Sequence, residues 1–236
     1  SIAGGDLDND GDMDYVAGNM GLNSKYQADP EDPALLYCAD FSGKGQKNLV
    51  EAVYENGILF PVRGKSCSTR AMPHLAREFH SFHNFALVSL SDIYTETILE
   101  KAEKFAVNIL ESIVLINDGQ ARFSLQKLPR LAQAAPAFGL ALGDYDGDGF
   151  VDLYMVQNSY SPQAETGRMD GGVSALFVGR GDGRFDTIWP NRSGLVVPGD
   201  AKSLTSIDIN DDGWLDLVIG VNDGEMLTFV NRGSEE

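Results

Sequence analysis

Asp144, Asp146, Asp148 and Asp152 stand at positions 1, 3, 5 and 9 of one short segment, GDYDGDGFVDLYMVQ, with Gly149 at position 6. Carboxylates packed this closely repel one another, so the spacing calls for a cation. A hard, oxygen-liganded ion fits the pattern. Calcium loops take ligands from positions 1, 3, 5 and 9 and a backbone carbonyl from position 7, here Phe150, with glycine at 6 where the chain turns sharply. An EF-hand would also need a bidentate glutamate at position 12, and this loop has Met155 there. No amphipathic helix leaves the loop either; LYMV is a short apolar run that reads as a strand.

The same device occurs twice more. Asp208, Asn210, Asp212 and Asp216 occupy positions 1, 3, 5 and 9 of DINDDGWLD, with Gly213 at 6, Trp214 at 7 and Ile219 at 12. Asp6, Asp8, Asp10 and Asp14 do so in DLDNDGDMD, with Gly11 at 6, Asp12 at 7 and Ala17 at 12. Three copies with the same glycine and the same following strand predict three calcium ions. A fourth, DFSGKGQKN, keeps Asp40 but has Ser42, Lys44 and Asn48 at positions 3, 5 and 9. The Lys44 ammonium would sit where the ion belongs, so this loop is expected to be metal-free.

Composition agrees. The chain carries 18 Lys+Arg against 35 Asp+Glu, a formal charge of −17, which three divalent ions would bring to about −11. The remaining acidity argues against nucleic acid or an anionic membrane surface as partner. No apolar stretch is long enough for a membrane-spanning helix. The opening SIAGGD has neither an initiator methionine nor a signal peptide, which reads as a processed or excised piece of a longer protein.

The elements that position these loops repeat. SIVLINDGQARF (112–123) aligns with SALFVGRGDGRF (174–185) at a spacing of 62, and the loops that follow begin 64 apart, at Asp144 and Asp208. Each unit reads as strand, glycine-containing hairpin, a strand opening on phenylalanine, a looser segment, strand, metal loop and strand. Four short strands in roughly 60 residues, repeated, is how a β-propeller manages its sheet edges. The tail EMLTFVNRGS matches the start of a unit and the head SIAGGDLDNDGDMDYVAGN its end, so tail and head together would make one blade. That fits either ring closure or a cut through a longer array of blades; three to four blades are expected within residues 1–236.

The motif D-x-D/N-x-D-G-x-x-D followed by LVIG, with GDGRF-type hairpins between, resembles the FG-GAP/VCBS repeats of integrin-α-type propellers. The stretches GNMGLNSKY, YENGILFPVRGKSCSTRAMPHL and AETGRMDGG are further similar to bacterial VCBS-repeat relatives of cartilage acidic protein. The resemblance covers nearly the whole chain. It implies a mainly β propeller segment, calcium at the twelve side chains named above, and a secreted or cell-surface location.

One segment exceeds a blade. Between Asp40 and Asp144 the chain is some 40 residues too long, and the excess, about 65–111, reads as a helical insertion. Tyr94, Ile98, Ala102, Phe105, Ile109 and Leu110 recur at helical spacing, predicting a helix at about 92–110 capped by Ser91 or Asp92, with Phe105 and Ile109 against the blades. MPHLAREF predicts a second short helix with Pro73 in its first turn.

Other chemistry has a plainer reading. His74, His80 and His83 lack the spacing of a zinc site and read as surface or packing residues. Arg63, Lys65, Arg70 and Arg77 form the most basic stretch, either a solvated face or a docking surface for an acidic partner or glycan. Arg180-Gly181-Asp182 sits where the repeat needs a hairpin turn. Cys38 and Cys67 can form one disulfide, or Cys38 can simply be buried in its strand. No nucleophile elbow, P-loop or dinucleotide fingerprint is present. The expected function is a non-catalytic calcium-binding scaffold for protein or glycan partners and other domains of a longer parent. The alternative is a carbohydrate-active enzyme with its catalytic groups on the insertion or on the loop 158–173.

Overall fold

The structure, a computed structural model, describes residues 1–233. It is mainly β: four antiparallel sheets of three or four strands, with a few short helices. The chain divides into two compact units, one of Ser1–Ser24, Glu111–Pro162 and Gly167–Glu236, the other of Lys25–Leu110 and Gln163–Thr166.

The first unit opens with β1 (Ile2–Gly5) and β2 (Asp14–Ala17), an antiparallel pair joined by the Asp6 loop. The chain then builds the second unit. Here β3 (Ala34–Ala39), β4 (Asn48–Glu55) and β5 (Ile58–Pro61) form a meander. Five short helices follow: α1 (Lys65–Ala71), α2 (Leu75–Glu78), α3 (Phe82–Ala86), α4 (Leu90–Tyr94) and α5 (Glu96–Lys101). β6 (Glu103–Val107) completes the sheet in the order β5-β4-β3-β6. Its alternate residues Leu35, Tyr37, Val50 and Ala52 face the helices and share a core with Met72, Leu75, Phe85, Leu90, Ile93 and Tyr94.

The helical stripe predicted over 92–110 is only half right. Tyr94, Ile98, Leu99 and Ala102 do pack into this core, but Thr95 at φ 58° breaks the helix, and after Lys101 the chain runs extended. Phe105 lies on β6 opposite Leu36 and is 52% exposed, so the expectation that it faces the blades is overturned. The backbone hydrogen bonds offered by β3 outweigh the local helical periodicity, and Phe105 and Val107, which pair there, are weak helix formers that suit a strand. The cap of α4 is Ser89, not Ser91 or Asp92; its hydroxyl accepts the Asp92 N–H and Asp92 reaches back to the Ser89 N–H at 3.0 Å. The MPHLAREF helix forms as α2, just after Pro73.

The chain returns to the first unit with β7 (Ile113–Asn117) and β8 (Phe123–Lys127), which complete the order β1-β2-β7-β8. A single 3-10 turn, Arg130–Gln133, leads to the next sheet. This consists of β9 (Ala137–Gly143), β10 (Asp152–Gln157), β11 (Ala175–Gly179) and β12 (Phe185–Ile188), in sequence order. After α6 (Pro190–Ser193) come β13 (Ala201–Ile207), β14 (Asp216–Val221) and β15 (Leu227–Phe229), a three-stranded sheet. Strand β9 packs against both β1 and β13, so the first strands of the three sheets adjoin.

Every residue of β10 is buried, as its continuous apolar run requires. Leu153 and Met155 enter one core with Val16, Val114 and Phe177, while Tyr154 and Val156 enter another with Val197, Leu217 and Ile219. Each fully buried side chain of this kind contributes about 1.5–3 kcal/mol. The hairpins pair differently from the expected repeat frame. β7–β8 join the sheet of the preceding Asp6 loop, and β15 pairs with its own predecessor β14, so among the described residues tail and head do not share a sheet. The crossover from second to third strand stays within one sheet because β2 and β10 present a free edge to β7 and β11.

Candidate metal centres

The Asp6, Asp144 and Asp208 loops each join the first and second strands of a sheet, and they share one backbone. Position 4 (Asn9, Gly147, Asp211) and position 6 (Gly11, Gly149, Gly213) all have positive φ. The position-1 carboxylate accepts the N–H of position 6: Asp6 from Gly11 at 3.1 Å, Asp144 from Gly149 at 3.0 Å, Asp208 from Gly213 at 2.8 Å. The position-5 carboxylate accepts the N–H of position 7: Asp10 from Asp12, Asp148 from Phe150, Asp212 from Trp214. The turn thus gathers acidic side chains by bonding them to its own amides.

In two loops three carboxylates each bring an oxygen within 4.8 Å of the others: Asp6, Asp8 and Asp14 in one, Asp144, Asp146 and Asp148 in the other. These two clusters could hold a metal ion. Asp10 and Asp152 stand outside the triplets. In the third loop Asn210 replaces an acid and its amide donates to Asp212 at 2.8 Å, so no three-carboxylate cluster forms there among the described residues. One oxygen of Asp8, Oδ1, is buried without a hydrogen-bond partner. Burial and then the neighbouring Asp14 and Asp10 raise the Asp8 pKa, and burial with Asp148 and Asp144 raises that of Asp146. Among the described residues no lysine or arginine pairs with these acids. An orphaned carboxylate oxygen in an uncompensated acidic turn is what a cation would satisfy.

The position-9 aspartates have a second task. Asp14, Asp152 and Asp216 are fully buried, and each carboxylate accepts two backbone amides. One comes from position 2 of its own loop: Leu7, Tyr145 and Ile209, all at 2.9 Å. The other comes from just past or at the end of the third strand: Asn117, Gly179 and Asn231, all at 2.8 Å. Burial nevertheless pushes the Asp152 pKa up to about 6, against the pull of the Gly179 and Tyr145 amides. The loop spacing marks these three only as ligands and does not show the amides that donate to them; the signal for those amides is the repeated NDG, GRG and NRG at or just past the end of the third strand.

The position-7 residues bind the loops to what lies beside them. A side chain at Gly147 would strike the Trp214 ring, and one at Gly181 would strike Phe150. The Leu7 carbonyl accepts the Gly183 N–H at 2.9 Å, and the Tyr145 carbonyl accepts the Asn231 amide at 2.8 Å.

The Asp40 loop has the same backbone, with positive φ at Gly43 and Gly45, but no acidic crowd. Asp40 accepts from Ser42, Lys44 and Gly45, and these bonds, the Gly45 N–H foremost, hold its pKa below the usual value.

The remaining expectations resolve individually. None of the three histidines joins a metal-competent cluster among the described residues. Arg180 is paired with Asp186 at 2.7 Å inside its hairpin, in keeping with a turn. Cys38 and Cys67 are free thiols. Arg63 is half-buried against Glu51 at 2.7 Å, whereas Arg70 and Arg77 are exposed. On the loop after β10, buried Asn158 donates to the carbonyls of Gly172, Gly199 and Pro198. Lys202 beside it bonds the Asn158 carbonyl and Asp200, both at 2.7 Å. Burial opposes charge on Asp200, but Lys202 and Asn222 outweigh it and keep its pKa low. A cavity of about 880 Å³ in the same unit is lined by Trp189, Arg130, Thr187 and Asn23, and its one carboxylate, Glu111, is paired with Lys127. No helix among the described residues is long and apolar enough to cross a membrane.

Scans against protein-family models and against curated proteins find no match to the chain.

Proposed function

We propose that this chain is a calcium-stabilised β-propeller segment of the FG-GAP/VCBS type, acting as a non-catalytic scaffold and binding module of a secreted or cell-surface protein. The observation that carries the calcium reading is the Asp6 loop, where three carboxylates converge and Asp8 Oδ1 is buried without a partner. Asp6, Asp8, Asp10 and Asp14 would hold one ion, Asp144, Asp146, Asp148 and Asp152 a second, and Asp208, Asn210, Asp212 and Asp216 a third, with carbonyls of Asp12, Phe150 and Trp214 completing the sets. Bound calcium would supply charge neutralisation, and this chain's own residues set the turn that receives it. The propeller reading is supported by the adjoining first strands β1, β9 and β13 and by the repeated loop position in each sheet. Partners would be proteins or glycans on the exposed faces. Isothermal calorimetry with calcium tests the reading: three ions bound with a rise in melting temperature support it, and no binding refutes it.

A further inference from the structure

Trp189 is 59% exposed, and among the described residues no ring or cation packs on its indole. Its backbone is nevertheless held. The Trp189 carbonyl accepts the N–H of Arg192 at 2.8 Å and that of Ser193 at 3.2 Å, and Pro190 follows it at the start of α6. The indole lines the cavity of about 880 Å³ in the first unit. That cavity lies beside the fourth strands of two four-stranded sheets, at Lys127 of β8 and Thr187 of β12. Its volume falls in the range of small-molecule sites, about 300–1,000 Å³.

Another wall of the cavity is fixed by its own bonds. The buried Gln133 side chain bonds the backbone of Ser112 and Leu128, and the Gln133 carbonyl accepts the N–H groups of Leu22 at 2.9 Å and Asn23 at 3.3 Å. Gly21, at φ 77°, lets the chain come this close, since a side-chain carbon there would strike the Gln133 carbonyl. A wall set in advance costs little ordering when a ligand arrives. Several polar groups at the cavity are left uncommitted. The Asn23 amide donates to the Ala134 carbonyl at 3.0 Å, which leaves its Oδ1 free. The Thr187 hydroxyl and the Arg130 guanidinium have no partner among the described residues, whereas Lys127 is paired with Glu111. Arg130 is thus the uncompensated charge of this cavity.

An aromatic face, neutral hydrogen-bonding side chains and a free guanidinium together match a sugar acid. The apolar C–H face of a sugar ring packs on an indole, and its hydroxyls bond groups such as those of Thr187 and Asn23. Arginine grips a carboxylate with two parallel bonds. In a chain of formal charge −17, an arginine without a counter-charge selects for an anion at short range. A peptide strand fits less well, because β12 runs through Trp189 into Pro190, which has no N–H to offer a ladder. We propose that this cavity binds an oligosaccharide carrying uronic acids, with Trp189 stacked on a sugar ring and Arg130 paired with a carboxylate. The inference rests on the binding-module reading and names its ligand class; it makes no use of the calcium loops.

The test is calorimetric titration of the 236-residue protein, in calcium, with tetrasaccharides of hyaluronan, polygalacturonate and polymannuronate, their methyl esters, and tetra-aspartate. At least one uronate should bind, and its methyl ester about tenfold or more weakly, because a bond to an ionised group is lost. Arg130→Gln should weaken the uronate by a similar factor and the ester little. Trp189→Ala should weaken both about tenfold and abolish the ligand-induced change in tryptophan fluorescence. Both side chains are exposed, so melting temperatures should match the parent and separate lost binding from lost folding. No uronate binding, binding indifferent to either variant, or equally tight binding of the ester or of tetra-aspartate would overturn the proposal. Calcium binding measured on the same sample keeps the two readings apart: bound calcium without uronate refutes this site alone, and uronate without calcium refutes the calcium reading alone.

Discussion

The Asp152 carboxylate accepts the Gly179 N–H at 2.8 Å and so fastens the turn between β9 and β10 to the end of β11. With the Tyr145 N–H on its other oxygen, this one side chain closes three segments of a sheet. Asp152→Asn must point an amide nitrogen at one of those two N–H groups. The orphaned buried donor should cost about 1–3 kcal/mol, read by urea unfolding. The loss should persist in EGTA, because the bracket acts without a cation; a variant as stable as the parent would contradict this role.

Asp148 is expected to behave in the opposite way. Its side chain is exposed and contributes to the acidic cluster rather than to a bracket across the sheet. In calcium, Asp148→Ala should lower the melting temperature; in EGTA it should be neutral or slightly stabilising, since a repelling charge is gone. An equal loss in both buffers would remove the ligand role from Asp148.

Without a cation, stability should fall as pH rises. Burial lifts Asp152 to about 6 and raises Asp8 and Asp146. Their unfolded values lie near 3.9, so between about pH 4 and 6 the folded chain holds protons that the unfolded chain has released, and the slope is negative. Asp40, Asp92, Asp186 and Asp200 have lowered values and act in the other sense, losing their contribution only as pH drops below about 4. Calcium favours the charged form and should flatten or reverse the slope. Melting curves across this range with the same slope in EGTA and in calcium would refute the prediction.

The loops were legible in the sequence because their chemistry is local: nine residues fix the turn, the glycine and the acids. Strand existence was legible too, since LYMV and LVIG are apolar runs too short for helices. What was not legible depended on partners distant in the chain. Phe105 carries a helical periodicity that loses to hydrogen bonds from β3, and nothing near it announces that competition. The second role of Asp14, Asp152 and Asp216 was hidden for the same reason, because one of the amides each receives lies 15 to 103 residues away. The pairing of β15 with β14 was hidden likewise: it repeats that of β7 with β2 and β11 with β10, and the hairpin motifs alone do not say which sheet their first strand joins.

Phe105→Ala should therefore be mild. An exposed strand residue away from a core usually changes stability by less than about 0.5 kcal/mol. Leu75→Ala and Leu90→Ala, both fully buried among the helices, should each cost about 2–5 kcal/mol. Comparable losses at Phe105 and Leu90 would reinstate the continuous helix.

Gly147 and Gly149 separate two costs. Both sit at positive φ, so alanine at either carries the left-handed penalty of about 1–2 kcal/mol. Only at Gly147 would the new carbon also meet the Trp214 ring, whereas Gly149 faces open space. Gly147→Ala should shift tryptophan fluorescence and cost more; identical spectra for the two variants would show that Trp214 does not rest on that loop.

The most direct test of the central claim is the melting temperature of the protein in calcium and in EGTA, with the number of bound ions measured by calorimetry. At calcium a hundredfold above its Kd, each site adds about 2.7 kcal/mol, or roughly 5–10 °C for a chain of this size. The account predicts three ions and a large fall in EGTA, with the Asp40 loop empty because Lys44 stands at position 5. A melting temperature indifferent to EGTA, or a fourth ion at Asp40, would contradict it.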